Sequence, residues 1–323
     1  MEADMFSYAL QAILLASAIL VGCGEGQSPR AVTVPRPPPA PPPEPEPEVE
    51  PLEKLENLAK SGDVDRIFLS DFVGELQLAD VEFGTLRVTV TCDGGTCTMV
   101  SGRITDSLAP DMPFPINETV SVSDFDPEEY SQEDFFAGDP EISDLHGMHS
   151  FQVDASEAGF LADVGQEDGE GKATFWGGWG TYQMFGVISM GLSETESGLA
   201  MRMGAGLSLG DVSGSVPSGG SATWTGALVG VEKDRFETVS GKSSIVIRDF
   251  PNPVVDASLT EISTPGRQIG DVTYTGVPVT DSGFQSATEG HSIQGSFYGP
   301  NHEEAGGIFE SEQVLGAFGA KRP

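Results

Sequence analysis

From Ser221 to Arg322 the chain reads as a succession of short strands separated by turn residues. "SATWTGALVGVE", "SSIVIRDF", "VVDASLTEI", "DVTYTGVPV", "GFQSATE", "HSIQGSFYG", "GGIFES" and "VLGAFGAKR" make eight such segments in about 105 residues. Each is rich in β-branched or aromatic residues and bounded by Gly, Pro, Asp or Asn. No long helical pattern interrupts the series, which argues against a parallel βαβ topology. Eight antiparallel strands closed on themselves form a barrel just wide enough to be filled by its own side chains, and closure removes the exposed edges. The expected fold class is therefore all-β, with an eight-stranded antiparallel β-barrel over residues 221–323.

Upstream, "GDVSGSVPSGG" has the composition of a linker, placed at residues 211–220, and residues 52–210 form a smaller, mostly β domain. Leu52, Leu55 and Leu58 follow Pro51 at helical spacing and predict a short helix docked on that domain. In "TLRVTVTCDGGTCTMVSGRIT" the apolar Leu86, Val88 and Val90 alternate with Arg87, Thr89 and Thr91, and Asp93-Gly94-Gly95 supplies a tight turn. Cys92 and Cys97 flank the turn and read as a disulfide; a metal would need further soft ligands, and no other cysteine remains once Cys23 is used as below. Asp106–Gly159 is acidic and aperiodic, and reads as a long loop, either solvated or partner-binding. Strand patterns return at Lys172–Met190.

Ala9–Val21 is an apolar run too short to span a bilayer and of the length of a signal-peptide core. It ends in Leu20-Val21-Gly22-Cys23, which resembles a bacterial lipobox, so residues 1–22 are expected to be a lipoprotein signal peptide and Cys23 the acylated (palmitate-type) first residue of the mature chain. Glu2 and Asp4 stand in the n-region where basic residues are usual. The alternative is a buried N-terminal helix with an ordinary cysteine. Residues 23–51 then form a stalk: "VPRPPPAPPPEPEPEVEP" cannot join a sheet or helix, and an extended polyproline segment of its length spans on the order of 50–60 Å. Such a protein is expected at the outer membrane or cell surface, held to the membrane by its lipid.

The net charge is -34, from 16 Lys+Arg against 50 Asp+Glu. Nucleic-acid binding needs basic stripes and is excluded. Gly206-Leu207-Ser208-Leu209-Gly210 matches the nucleophile elbow G-x-S-x-G, with Asp256 and His291 following in triad order. The elbow needs a helix after the serine, and Gly214, Pro217 and Gly219-Gly220 argue against one, so no catalytic residue is assigned. Gly241-Lys242-Ser243 looks like the end of a P-loop, but Phe236 replaces its first glycine, and a turn is expected. His146 and His149 share a face only if "HGMHS" is helical; they are weak candidates for a haem or metal ligand against the simpler reading of surface loop histidines. No metal site and no cofactor are assigned.

The segment "IQGSFYGPNHEEAGGIFESEQVLGAFGAKR" resembles the closing strands of the β-barrel of transferrin-binding-protein-like lipoproteins. The residues that carry the resemblance are Gly295, Phe297, Tyr298, Gly299 and Pro300, then Glu304, Gly306, Gly307 and Phe309, then Gly316, Ala317, Phe318 and Gly319. "ATWTGALVG", Ala222–Gly230, looks like the first barrel strand. The resemblance implies a surface or outer-membrane lipoprotein that binds a host or environmental macromolecule, or a small nutrient ligand of the haem or metal class, without catalysis. It implies a handle-like sheet ahead of the barrel, and a TonB-type outer-membrane transporter as a further partner; it does not imply transferrin. A structural or adhesive envelope protein is the alternative. In the motif itself, Gly299-Pro300-Asn301 is expected to turn the chain, His302 and Glu303 to sit at an exposed rim, and Glu304 to anchor the turn by accepting backbone N–H bonds.

Overall fold

The computed structural model describes residues 65–78, 81–105, 112–121, 141–154, 171–192, 199–212, 214, 220–280, 283–288 and 290–323. The signal peptide, Cys23, the stalk, the Leu52–Leu58 helix and most of the linker lie outside the described residues. Among those described, every regular element is a strand.

The C-terminal strands are β11 (Ala222–Glu232), β12 (Thr238–Ile247), β13 (Val254–Thr264), the two-residue β14 (Arg267–Gln268), β15 (Val272–Thr280), β16 (Gly283–Thr288), β17 (His291–Tyr298), β18 (Glu304–Glu310) and β19 (Val314–Lys321). Apart from β14, they pair in chain order and antiparallel, and β19 returns to β11 to close the eight-stranded barrel. The interior is packed solid. Trp224, Leu228, Ile245, Leu259, Phe284, Phe297, Phe309 and Phe318 meet there with little or no exposure. Gly241-Lys242-Ser243 lies inside β12 and not in a turn: an irregularity in the pairing between Ser240 and Lys242 lets the glycine sit against the Thr260 backbone, and Lys242 pairs with Glu261 at 2.7 Å.

The preceding sheet contains β1 (Arg66–Leu69), β2 (Phe72–Leu78), β3 (Val81–Asp93), β4 (Thr96–Thr105), β5 (Met112–Ser121), β6 (Glu141–Leu145), β7 (Met148–Asp154), β8 (Gly171–Trp179), β9 (Gln183–Leu192) and β10 (Leu199–Gly210). Its order is β5-β4-β3-β2-β10-β9-β8-β7-β6, with β1 pairing the far end of β10. The acidic stretch after Asp106 is therefore not one long loop; it contributes β5, β6 and β7. Pro113 and Pro115 obscured the first of these, but β5 is the edge strand, where proline's missing donor costs no ladder bond.

Both faces of β9 and β10 are covered. Met184, Ile188, Met190, Met203, Ala205, Leu207 and Leu209 point away from the barrel and are buried. The other face lies on the outside of β11, β18 and β19. There Phe185 and Val187 pack on Ala227, Val229, Val231, Ile308 and Ala317, joined by Phe68 and Met148. Burial on both sides explains why β18 is apolar or small almost throughout, where a solvent-facing barrel strand would alternate.

Candidate functional site

Two sheets can approach this closely only where side chains are removed. Gly204, Gly206 and Gly210 recur at period two on the barrel-facing side of β10. A Cβ at Gly206 would fall on the Gly316 carbonyl, and one at Gly319 on the Phe185 ring. These glycines reflect close approach rather than an unusual φ.

Polar contacts lock the seam. Glu304, only 4% exposed, reaches out of the barrel and accepts from the Thr181 N–H at 2.6 Å and the Tyr182 N–H at 3.0 Å, in the turn between β8 and β9. A side chain on Gly180 would collide with this carboxylate. Beside it, the buried Gln183 amide donates to the Ala305 and Ala320 carbonyls, both at 3.0 Å. Tyr298 is buried, and its hydroxyl meets Ser208 Oγ at 3.2 Å. Glu304 thus does accept backbone N–H bonds, but from the neighbouring sheet and not from its own turn. That turn is held by Glu303, which accepts from Asn301 N and Nδ2 at 2.9 and 2.8 Å; these bonds, above all the side-chain one, hold its carboxyl below the usual carboxylate range.

His302 is also not at an exposed rim. It sits at φ 54° and is 4% exposed, stacked on Phe297 and close to Gly214, while its carbonyl accepts from Trp224 Nε1 at 2.8 Å. The left-handed turn conformation tips the imidazole inward. Burial, aided by repulsion from Arg322, pulls its pKa below the ordinary histidine value, against the pull of the Gly214 backbone and Glu303.

Away from the seam the two sheets diverge around a cleft of about 790 Å³. One wall is Leu69–Asp71 with Arg87; the other is formed by β16 and the adjoining parts of β17 and β18. At its base Arg87 joins Asp71 (2.8 Å) and Glu310, and Lys233 joins Glu310 at 3.0 Å. These charges bridge sheet to barrel and neutralise each other, so the cleft carries no concentrated charge of one sign. A smaller space of about 150 Å³ continues it past Arg66–Phe68 and the Cys92–Gly94 hairpin tip.

The other residues singled out in the sequence do not converge. Cys92 and Cys97 are joined by a disulfide between directly opposed residues of β3 and β4, and the Leu69 N–H points at Cys92 Sγ at 3.3 Å. His146 (φ 51°) and Gly147 form the turn of the β6–β7 hairpin, so no helix aligns His146 with His149. Both are exposed, and His149 stacks on Trp179 at 5.1 Å. Among the described residues no three His, Cys, Asp or Glu side chains are grouped to hold a metal. Ser208 is fully buried within a strand, not on a strand-to-helix turn. Asp256 is engaged with Arg248 and the Gly276 N–H, and His291 stacks on Tyr274.

Sequence reasoning placed the motif glycines and aromatics in the barrel but missed Phe185, Gln183, Tyr182 and the cleft residues Asp71, Arg87, Lys233 and Glu310. The period-two glycines of β10 were the available signal.

The architecture defines an all-β protein in which a closed eight-stranded barrel is docked on a ten-stranded sheet. Residues 216–322 match the family described as the C-lobe and N-lobe β-barrels of Tf-binding protein B, and the C-terminal unit is a barrel of this transferrin-binding-protein-B type. Among solved structures, intact Ap-TbpB (N and C lobes) shares 12% identity over 80% of this chain and 77% of its own, with a TM-score of 0.29. Isotype 1 transferrin binding protein B from serogroup B Neisseria meningitidis shares 11% over 80% and 76%, at 0.30. A mutant of the vaccine antigen transferrin binding protein B from Haemophilus parasuis Hp5 shares 12% over 80% and 76%, at 0.26. Among curated proteins none matches the chain.

Proposed function

We propose that this chain is a non-catalytic binding protein displayed at the outer membrane or cell surface. In this reading Cys23 carries the lipid, residues 23–51 form the stalk, residues 52–210 form the handle-like unit, and 211–220 lead into the barrel of residues 221–323. The partner is a protein, held by exposed surfaces and loops. The observation that carries the proposal is the barrel match over residues 216–322, on a barrel whose interior is filled by side chains and so offers its outside rather than a lumen. The matching family is named for transferrin binding, which makes transferrin the first partner to test. A TonB-type transporter encoded nearby would fit the same role. Haem or metal capture through His146 and His149 has less support, because they share no helical face.

The test uses cells displaying the full chain. Saturable retention of transferrin, and its loss together with lipid labelling in Cys23→Ala, is the expected outcome. If neither transferrin nor any other host-fluid protein is retained at micromolar concentration, the structural or adhesive role replaces binding.

A further inference from the structure

The barrel is not evenly zipped. β15 and β16 share only two residue pairs, Val279↔Phe284 and Thr280↔Gly283. The next pair would join Pro278 to Gln285, and proline has no N–H to give. Two residues earlier Gly276 adopts φ 64°, and the β13–β15 pairing shifts there. β15 therefore leaves β16, and Tyr274 closes the barrel wall with its ring on His291 and its hydroxyl on the Glu310 carbonyl at 2.7 Å.

The consequence is an edge strand inside a nominally closed barrel. β16 pairs fully with β17 through Thr288↔His291, which flank a two-residue connection. In such a hairpin the flanking residues exchange both hydrogen bonds, and the pattern then alternates. Thr288, Ser286 and Phe284 thus bond to β17, while Gln285 and Ala287 aim their N–H and C=O groups at the open side. Residues 285–288 are all exposed, and all four line the 790 Å³ cleft. Open ladder groups are templates for another strand.

We propose that the open edge of β16 binds an extended, proline-poor segment of a protein partner by strand addition, with the main-chain groups of Gln285 and Ala287 as its anchor. The surroundings suit main-chain recognition: Ser286, Thr288, Ser292 and Gln294 are small or neutral, and the charges at the base are already paired. The net charge of -34 favours a segment with cationic flanks. A slender segment enters a cleft between two sheets, whereas the β16 of a second copy would have to bring its own barrel into that space. The inference builds on the protein-binding role above but is tested without that partner, so either can fail alone.

The probe is a lysine-flanked peptide of alternating threonine and valine, titrated against the full chain by fluorescence anisotropy with amide exchange read in parallel. Expected are saturable binding, slowed exchange of the Gln285 and Ala287 amides, and weakening by about tenfold in Ala287→Pro, which removes one outward donor and no barrel bond. Gln285→Pro serves the same purpose if Ala287→Pro does not fold. Binding unchanged in the folded proline variant, equal binding of a proline-interrupted peptide, or no binding at millimolar peptide would overturn the proposal. So would protection of both amides in the free chain, which would assign the edge to a segment of the chain itself, or a concentration-dependent dimer lost in Ala287→Pro, which would assign it to a second copy.

Discussion

Glu304 is the most informative residue to perturb, because its bonds leave the barrel. Glu304→Ala deprives the Thr181 and Tyr182 N–H groups, the first on an exposed residue and the second on a half-buried one, of their buried acceptor. Each is a hydrogen bond to a charged acceptor, worth about 1.5–3 kcal/mol, and because water can reach the freed donors the low end applies, so the variant should lose about 3 kcal/mol. Glu304→Gln keeps one acceptor and turns an NH₂ toward the other N–H, for a loss of about 1–2 kcal/mol. Urea unfolding measures both: with a slope of about 3 kcal/mol/M the alanine midpoint falls by roughly 1 M. The three tryptophans, read one at a time, locate the loss, since Trp176 and Trp179 report the sheet and Trp224 the barrel interior. The sheet signals should move first. Glu303→Ala is the control, because its carboxylate holds only its own exposed turn. A Glu304→Ala loss below about 1 kcal/mol, or an equal loss in Glu303→Ala, would refute the seam as the role of this motif glutamate.

Three further outcomes are expected. Gly206→Ala drives a methyl onto the Gly316 carbonyl, which cannot step aside, and should cost at least about 2 kcal/mol in the same assay, with exposure of apolar surface to a dye. Cys92→Ser/Cys97→Ser opens a very short loop and should lose about 2 kcal/mol by loop-closure entropy, read as a lowered melting temperature. His302 has a lowered pKa in the fold, so its contribution is complete above the unfolded value of about 6.5 and declines as pH falls from there toward the folded value. Stability should therefore drop as pH falls below about 6.5, and His302→Gln should flatten that slope.

The strand series and its turns were legible because period-two apolar patterning and Gly, Pro and Asn breaks are local properties. They anticipated the eight barrel strands, the Cys92–Cys97 hairpin and the turn at Gly299-Pro300-Asn301. β5 to β7 were not legible, since acidic residues and edge prolines mask alternation when a strand's neighbours are unknown. His302 was misplaced for a related reason: a polar residue after Gly-Pro-Asn reads as exposed, and only the left-handed backbone at its own position turns its ring onto Phe297.

The sequence by itself determined that the chain is all-β and that its last third closes as a barrel, and it sets a proline-rich segment and a Leu-Val-Gly-Cys motif resembling a lipobox ahead of them. Only the tertiary structure decided what the glycines and Glu304 are for. The partners of Glu304, Gly206 and Gly319 lie more than a hundred residues away on another sheet, and contact across that distance depends on the relative placement of two finished sheets, which no local pattern encodes. The same holds for the break after Pro278: proline announces a lost donor anywhere in the chain, but whether the loss opens an edge depends on which strand lies beside it.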